Sequence, residues 1–292
     1  LAKFIQEKPM QENNYFTYAN GSLYPRHEAS LQILDRGLKF GDGVYETIRV
    51  ANGRPYSWEK HMERLSISLN LLKIDYDVSG LYEISNKLLK KNNIITGSLR
   101  IMITRGIGGV GYLPGHENEC GVVVEAMPMP KIPDHPIDLW LTHFRKIPPE
   151  CLPSAAKTMQ GLSSTLARME AEENGCFEAV LLSMEGHVCE CSSSNILWAK
   201  HGQIFTPSLS CGILAGTTRD RIIELWPGGV QEGIFSTRAI EEADEVFVTN
   251  VIWSALPVRK FMPAGIKFSG NEICNKINAM LADDVRQYTL SA

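Results

Sequence analysis

Met127-Pro128-Met129-Pro130-Lys131-Ile132-Pro133-Asp134-His135-Pro136 places four prolines in nine positions near the middle of the chain. Proline fixes φ and removes a backbone donor, so neither a helix nor a central strand persists through this stretch. It reads as a linker, residues 128–136, between an N-terminal unit (1–127) and a C-terminal unit (137–292). The length agrees, because 292 residues suit two domains of roughly 100–200 residues, each able to bury its own core.

On the N-terminal side, Tyr15-Phe16-Thr17-Tyr18-Ala19 predicts a strand that turns at Asn20-Gly21 and returns through Leu23. Gly43-Val44-Tyr45-Glu46-Thr47-Ile48-Arg49-Val50 alternates and is rich in β-formers, and Asn52-Gly53 supplies another hairpin turn. From Trp58 to Leu72 the apolar residues Met62, Leu65, Leu69 and Leu72 recur at helical spacing, with Ser57 as a plausible N-cap. Residues 98–104 and 121–127 predict two more strands. On the C-terminal side, strands are expected at 139–141, 179–183, 195–199, 203–206 and 245–250, and helices at 163–173 and 218–226. Strands and helices mix without strict βαβ alternation, so the fold class is α+β rather than a doubly wound sheet.

Composition narrows the possible roles. With 44% apolar residues, 21% charged residues and a net charge of -4, the chain is neither disordered nor built to neutralise a nucleic-acid backbone. No apolar run approaches the ~20 residues that cross a bilayer. The opening Leu1-Ala2-Lys3-Phe4-Ile5-Gln6-Glu7-Lys8 is too polar for a secretory signal core, so a cytoplasmic location is expected. Seven cysteines include no Cys-x-x-Cys, and Cys189, Cys191 and His187 lack further ligands at tight spacing, so reduced thiols and no metal are expected.

Three segments can carry chemistry. Gly212-Ile213-Leu214-Ala215-Gly216-Thr217-Thr218-Arg219-Asp220 sets glycines and two hydroxyls where a loop becomes a helix. Free N–H groups there favour an anion, although the same residues also suit a Thr cap on an ordinary helix. Glu190, in Cys189-Glu190-Cys191-Ser192-Ser193-Ser194-Asn195, is an N-cap acid, a solvated loop charge, or a carboxylate aimed at a protonated ring nitrogen. Lys157, in Pro153-Ser154-Ala155-Ala156-Lys157-Thr158-Met159-Gln160-Gly161, is either a surface lysine or a desolvated, nucleophilic amine able to form a Schiff base.

Taken together, these segments resemble the fold-type IV pyridoxal-phosphate enzymes, which include branched-chain and D-amino acid aminotransferases and aminodeoxychorismate lyase. Asp35-Arg36-Gly37-Leu38-Lys39-Phe40-Gly41-Asp42-Gly43-Val44-Tyr45-Glu46-Thr47 is similar to the family's opening signature, and His61-Met62-Glu63-Arg64-Leu65 to its next helix. Glu178-Ala179-Val180-Leu181-Leu182, Phe205-Thr206-Pro207 and Ala243-Asp244-Glu245-Val246-Phe247-Val248-Thr249-Asn250 extend the likeness in order over about residues 15–270. The resemblance implies pyridoxal 5′-phosphate as cofactor in the C-terminal unit. It makes Lys157 the Schiff-base and proton-shuttle residue and Glu190 the partner of the pyridine nitrogen. Arg64, Thr217 and Thr218 become phosphate contacts, with Asn250 at the other phosphate-side turn.

The same resemblance implies transfer of an amino group from an amino acid to a 2-oxo acid by a ping-pong mechanism, with aminodeoxychorismate lyase as the alternative. In Thr104-Arg105-Gly106-Ile107-Gly108-Gly109-Val110-Gly111-Tyr112, Val110 and Tyr112 replace the arginine and histidine with which D-amino acid aminotransferases hold the substrate carboxylate. Glu46 is transaminase-like, whereas Cys189-Glu190-Cys191, Trp198 and Val248-Thr249-Asn250 look lyase-like. Leu162 stands where branched-chain enzymes carry a tyrosine. Tyr45 and Tyr112 are the expected substrate contacts, with Arg36 and Arg105 as further candidates. In the family the 105–114 segment reaches toward a neighbouring active site, so a homodimer is expected.

Overall fold

The linker prolines separate two sheets. In the computed structural model, which describes residues 15–115 and 119–290, no helix or strand occurs between Pro128 and Ile137. The opening octet read as a non-signal sequence lies outside the described residues.

The N-terminal unit holds β1 (Phe16–Ala19), β2 (Ser22–Pro25), α1 (Arg36–Phe40), β3 (Gly43–Ala51), β4 (Arg54–Pro55), α2 (Trp58–Leu72), α3 (Leu81–Lys91), β5 (Gly97–Thr104) and β6 (Gly121–Pro128). Its six strands form an antiparallel sheet in the order β2-β1-β6-β5-β3-β4. Alternation sorts the faces of β3: Val44, Glu46, Ile48 and Val50 are buried, while Tyr45, Thr47 and Arg49 point to the other side. The buried face packs with Leu65 and Leu69 of α2 and Leu81 and Leu88 of α3. The Asn20-Gly21 and Asn52-Gly53 turns have positive φ at both residues, the geometry that a tight hairpin requires. Ser57 precedes α2 as expected, but it sits in the left-handed region (φ 55°) and its side chain caps nothing.

The C-terminal unit comprises β7 (Ile137–Arg145), α4 (Leu162–Glu173), β8 (Glu178–Leu182), β9 (Val188–Cys191), β10 (Asn195–Lys200), β11 (Gln203–Pro207), α5 (Thr217–Leu225), β12 (Val230–Gly233), α6 (Thr237–Glu241), β13 (Glu245–Asn250), β14 (Ser254–Met262), β15 (Ile266–Lys267) and α7 (Glu272–Leu290). Its mixed sheet runs β12-β11-β10-β13-β14-β7-β8-β9, with β15 on β14. Leu197 and Phe247 pack with Ile222 of α5 and with Cys274, Ile277 and Leu281 of α7. Ile196, Trp198 and Val248 lie in a separate apolar cluster with Phe261 and Ile240. The C-terminal helix then reaches back to the first unit: the Tyr288 hydroxyl accepts from the Trp58 N–H at 3.0 Å and donates to Glu59 at 2.6 Å. No helix among the described residues is long and apolar enough to cross a membrane.

Candidate active site

Lys157 lies in an irregular segment that pairs with the edge of β3. The Tyr45 N–H donates to the Lys157 carbonyl at 3.0 Å, the Met159 N–H to the Gly43 carbonyl at 2.9 Å, and Val44 bridges Thr158. The Lys157 N–H donates to the Ser68 hydroxyl of α2 at 3.0 Å. The ammonium stands 4.6 Å from the centre of the Tyr45 ring, over an aromatic face that favours a cation. It opens on a cavity of about 400 Å³, within the ~300–1,000 Å³ typical of small-molecule sites.

Seven residues singled out in the sequence line that cavity: Tyr45, Arg64, Lys157, Glu190, Thr217, Thr218 and Asn250. Glu190, at the end of β9, is buried, and each carboxylate oxygen is engaged. Oε1 meets Lys146 Nζ at 2.5 Å, and Oε2 accepts from the Leu214 N–H at 3.0 Å and from Asn195 Nδ2 at 3.2 Å. The solvated-acid reading of Glu190 therefore fails. Burial alone would lower the Lys146 ammonium pKa, but the Glu190 charge outweighs it and raises the pKa above its ordinary value.

Arg64 is fixed from behind. Its Nε and Nη2 donate to the two oxygens of Glu46 at 2.7 Å each, and Nη1 donates to the Ala215 carbonyl at 2.7 Å. Three of the five guanidinium N–H groups are thus used, leaving two for an anion in the cavity. Glu46 is fully buried and also accepts from His61 Nδ1 at 2.7 Å. Burial by itself would raise the Glu46 pKa, but the Arg64 charge and these hydrogen bonds prevail and hold it at about 2. Burial keeps the pKa of His61 below its usual value, consistent with a neutral ring donating from Nδ1.

The helix-start segment resolves one of the open alternatives. The N-cap of α5 is Gly216, which has no side chain to cap with, so Thr217 and Thr218 are the first two helical residues and not caps. Their N–H groups and hydroxyls are placed at the positive end of a helix dipole. A Cβ on Gly216 would lie 1.9 Å from Asn195 Oδ1, so only glycine lets the loop close over the Asn195 amide that also holds Glu190. Asn250 reaches the cavity, but its oxygen accepts from the Ile252 and Trp253 N–H groups and its amide donates to the Ser193 carbonyl at 3.2 Å. Its side chain closes a turn.

Three expected substrate residues lie elsewhere. Arg36 and Arg105 both donate to Asp42 at 2.8 Å, Arg36 also holds the carbonyls of Gly111 and Tyr112, and Arg105 holds those of Leu72 and Lys73. Both guanidiniums are committed to backbone and carboxylate partners, and neither lines the cavity. Tyr112 is 87% exposed, rests on Phe40 at 5.4 Å between ring centres, and is also absent from the cavity of its own chain. Two charged lining residues were not anticipated from sequence, Lys146 and Arg100. Arg100, on β5, pairs directly with Thr47 of β3, its guanidinium 4.5 Å from the centre of the Tyr45 ring, with no ion pair among the described residues. Only its place on an alternating strand, on the Tyr45 side of the sheet, could have flagged it.

The comparisons agree with this geometry. Residues 43–261 match the family model described as amino-transferase class IV. A D-alanine aminotransferase of Listeria monocytogenes is 32% identical over 246 residues, 82% of this chain and 85% of its own. An aminodeoxychorismate lyase of Bacillus subtilis is 29% identical, over 92% of this chain and 94% of its own. A branched-chain aminotransferase from the thermophilic archaeon Thermoproteus uzoniensis, solved with norvaline, superposes with a TM-score of 0.85 at 26% identity, covering 95% of this chain and 95% of that one. The fold is that of the fold-type IV enzymes, and the chain belongs to the class IV aminotransferases.

Proposed function

We propose that the protein is a pyridoxal 5′-phosphate-dependent aminotransferase that moves an amino group from an amino acid to a 2-oxo acid in two half-reactions. The observation that carries this reading is the convergence of an amine, a buried carboxylate, a fixed guanidinium and an uncapped helix start on one cavity. The residues fit the cofactor: Arg64 retains two free N–H groups, and the Gly216 loop approaches Asn195 as only a glycine can. When bound, pyridoxal phosphate supplies an electrophilic carbon and a ring that absorbs the charge left by deprotonation.

The chain's residues do the rest. Arg64, with the first N–H groups and hydroxyls of α5, binds the phosphate. Glu190, held by Lys146, Asn195 and the Leu214 N–H, keeps a proton on the ring nitrogen. Lys157 holds the cofactor through its amine and, once released, carries the proton to and from the substrate carbon. Arg100 and Tyr45 orient the substrate carboxylate, since Arg36 and Arg105 are occupied by Asp42. Val110, Tyr112 and Leu113 are 88%, 87% and 75% exposed, which supports a homodimer that covers them. Free cysteines at all seven positions support a cytoplasmic location.

A second reading, aminodeoxychorismate lyase, is favoured by the long, nearly full-length match to the Bacillus subtilis enzyme. One experiment separates them. Incubation with an amino acid alone should convert the cofactor's visible absorbance to the amino form, and a 2-oxo acid should restore it. Pyruvate release from aminodeoxychorismate, with no such conversion by any D- or L-amino acid, would assign the lyase.

A further inference from the structure

Arg49 lies on the same face of β3 as Tyr45 and Thr47, but it opens into a second cavity, of about 570 Å³, between the proline-rich linker, β14 and α7. Its Nη1 donates to the Ser254 hydroxyl at 2.7 Å, and among the described residues no carboxylate stands within ion-pair distance of it. Burial pulls its pKa below the usual guanidinium value, a cost that an anion against it would offset. At the rim, the Asp134 carboxylate stands 2.9 Å from His135 Nδ1 of the linker. Asn275 of α7 adds an amide to the cavity, and Ile132, Leu256 and Val285 give it an apolar wall.

We propose that this cavity binds a small organic monocarboxylate with an apolar chain, its carboxylate on Arg49 and its chain against Ile132, Leu256 and Val285. A single guanidinium with Asp134 near the rim matches one negative charge better than the two of a phosphate dianion. The apolar wall selects against inorganic anions. The site also borders the first: Val251 and Ile252 line the candidate active site, whereas the next two residues, Trp253 and Ser254 at the start of β14, line this cavity.

The test is calorimetric titration with 3-methylbutanoate, which has neither an amino nor an oxo group to enter amino transfer. The Arg100→Gln variant is used, so that the proposed substrate carboxylate contact is removed. Saturable binding of one equivalent per chain is expected. It should weaken by about tenfold or more when Arg49→Gln is added. Ala282→Trp, at an exposed α7 position lining the cavity, should weaken it likewise by filling the space, and it guards against a folding defect in the Arg49 variant. Absence of binding in Arg100→Gln, binding unchanged by both added substitutions, or displacement by inorganic phosphate at equal concentration would overturn the proposal.

Discussion

The Tyr45 N–H donates to the carbonyl oxygen of Lys157 at 3.0 Å, so a lysine from the C-terminal unit is bridged to the edge of a sheet of the N-terminal unit. The amine is therefore positioned by both units at once. Its neighbours in the cavity divide in the same way: Arg64, Tyr45 and Arg100 come from the first unit, and Glu190, Lys146 and the α5 start from the second.

Glu46 should make the fold acid-sensitive in a defined window. Its folded pKa of about 2 lies below the unfolded value of 4.5, so its stabilisation is full above pH 4.5 and is lost as pH falls toward 2. The gap corresponds to about 3 kcal/mol. Charging buried His61 on acidification acts in the same direction. Glu46→Gln should remove the acid-dependent component and lower stability at neutral pH by about 3 kcal/mol, because it leaves Arg64 buried beside a neutral group. Urea unfolding between pH 2 and 7 measures both effects.

Lys146 is expected to act through Glu190. Lys146→Met leaves a carboxylate with 10% side-chain exposure without its cation, at a cost of about 2 kcal/mol given that the lysine itself is 26% exposed. Turnover should fall roughly tenfold, and Lys146→Arg should restore most of it. Glu190→Gln should retain the fold and slow proton abstraction more than Lys146→Met does. Stopped-flow measurement of the first half-reaction ranks the three variants, and equal rates in Lys146→Met and wild type would leave the lysine only a structural role.

Arg100→Gln should raise KM for carboxylate substrates by roughly ten- to a hundredfold with a smaller change in kcat, as expected for loss of a binding contact. Arg36→Gln and Arg105→Gln should instead lower the melting temperature, because each leaves Asp42 with one arginine fewer. Steady-state kinetics beside thermal melting of the three variants distinguishes the two outcomes.

Much of the sheet framework is legible in sequence because alternation and Asn-Gly turns are local signals. Lys157, Glu190 and the α5 start are legible because the family spaces them regularly along the chain. Lys146 and Arg100 are not, since nothing near either residue marks its place: Lys146 faces Glu190 44 positions away, and Arg100 is one arginine on an ordinary strand. Arg36 and Arg105 look available in sequence, and only the fold brings Asp42 between them. The apolar stripe Cys274, Ile277 and Leu281 does spell α7, but in the sequence it is diluted by asparagines and charges on the remaining faces, and the sequence reading assigns no element there.

Two lysines face the cavity, and the proposed function requires that the cofactor be held by one of them in particular. Reduction of the purified yellow protein with borohydride, followed by peptide mapping of the fixed adduct, distinguishes them. The adduct is expected on Lys157, with Lys157→Ala abolishing amino transfer while cofactor still binds through its phosphate. An adduct on Lys146, or full turnover in Lys157→Ala, would contradict the assignment.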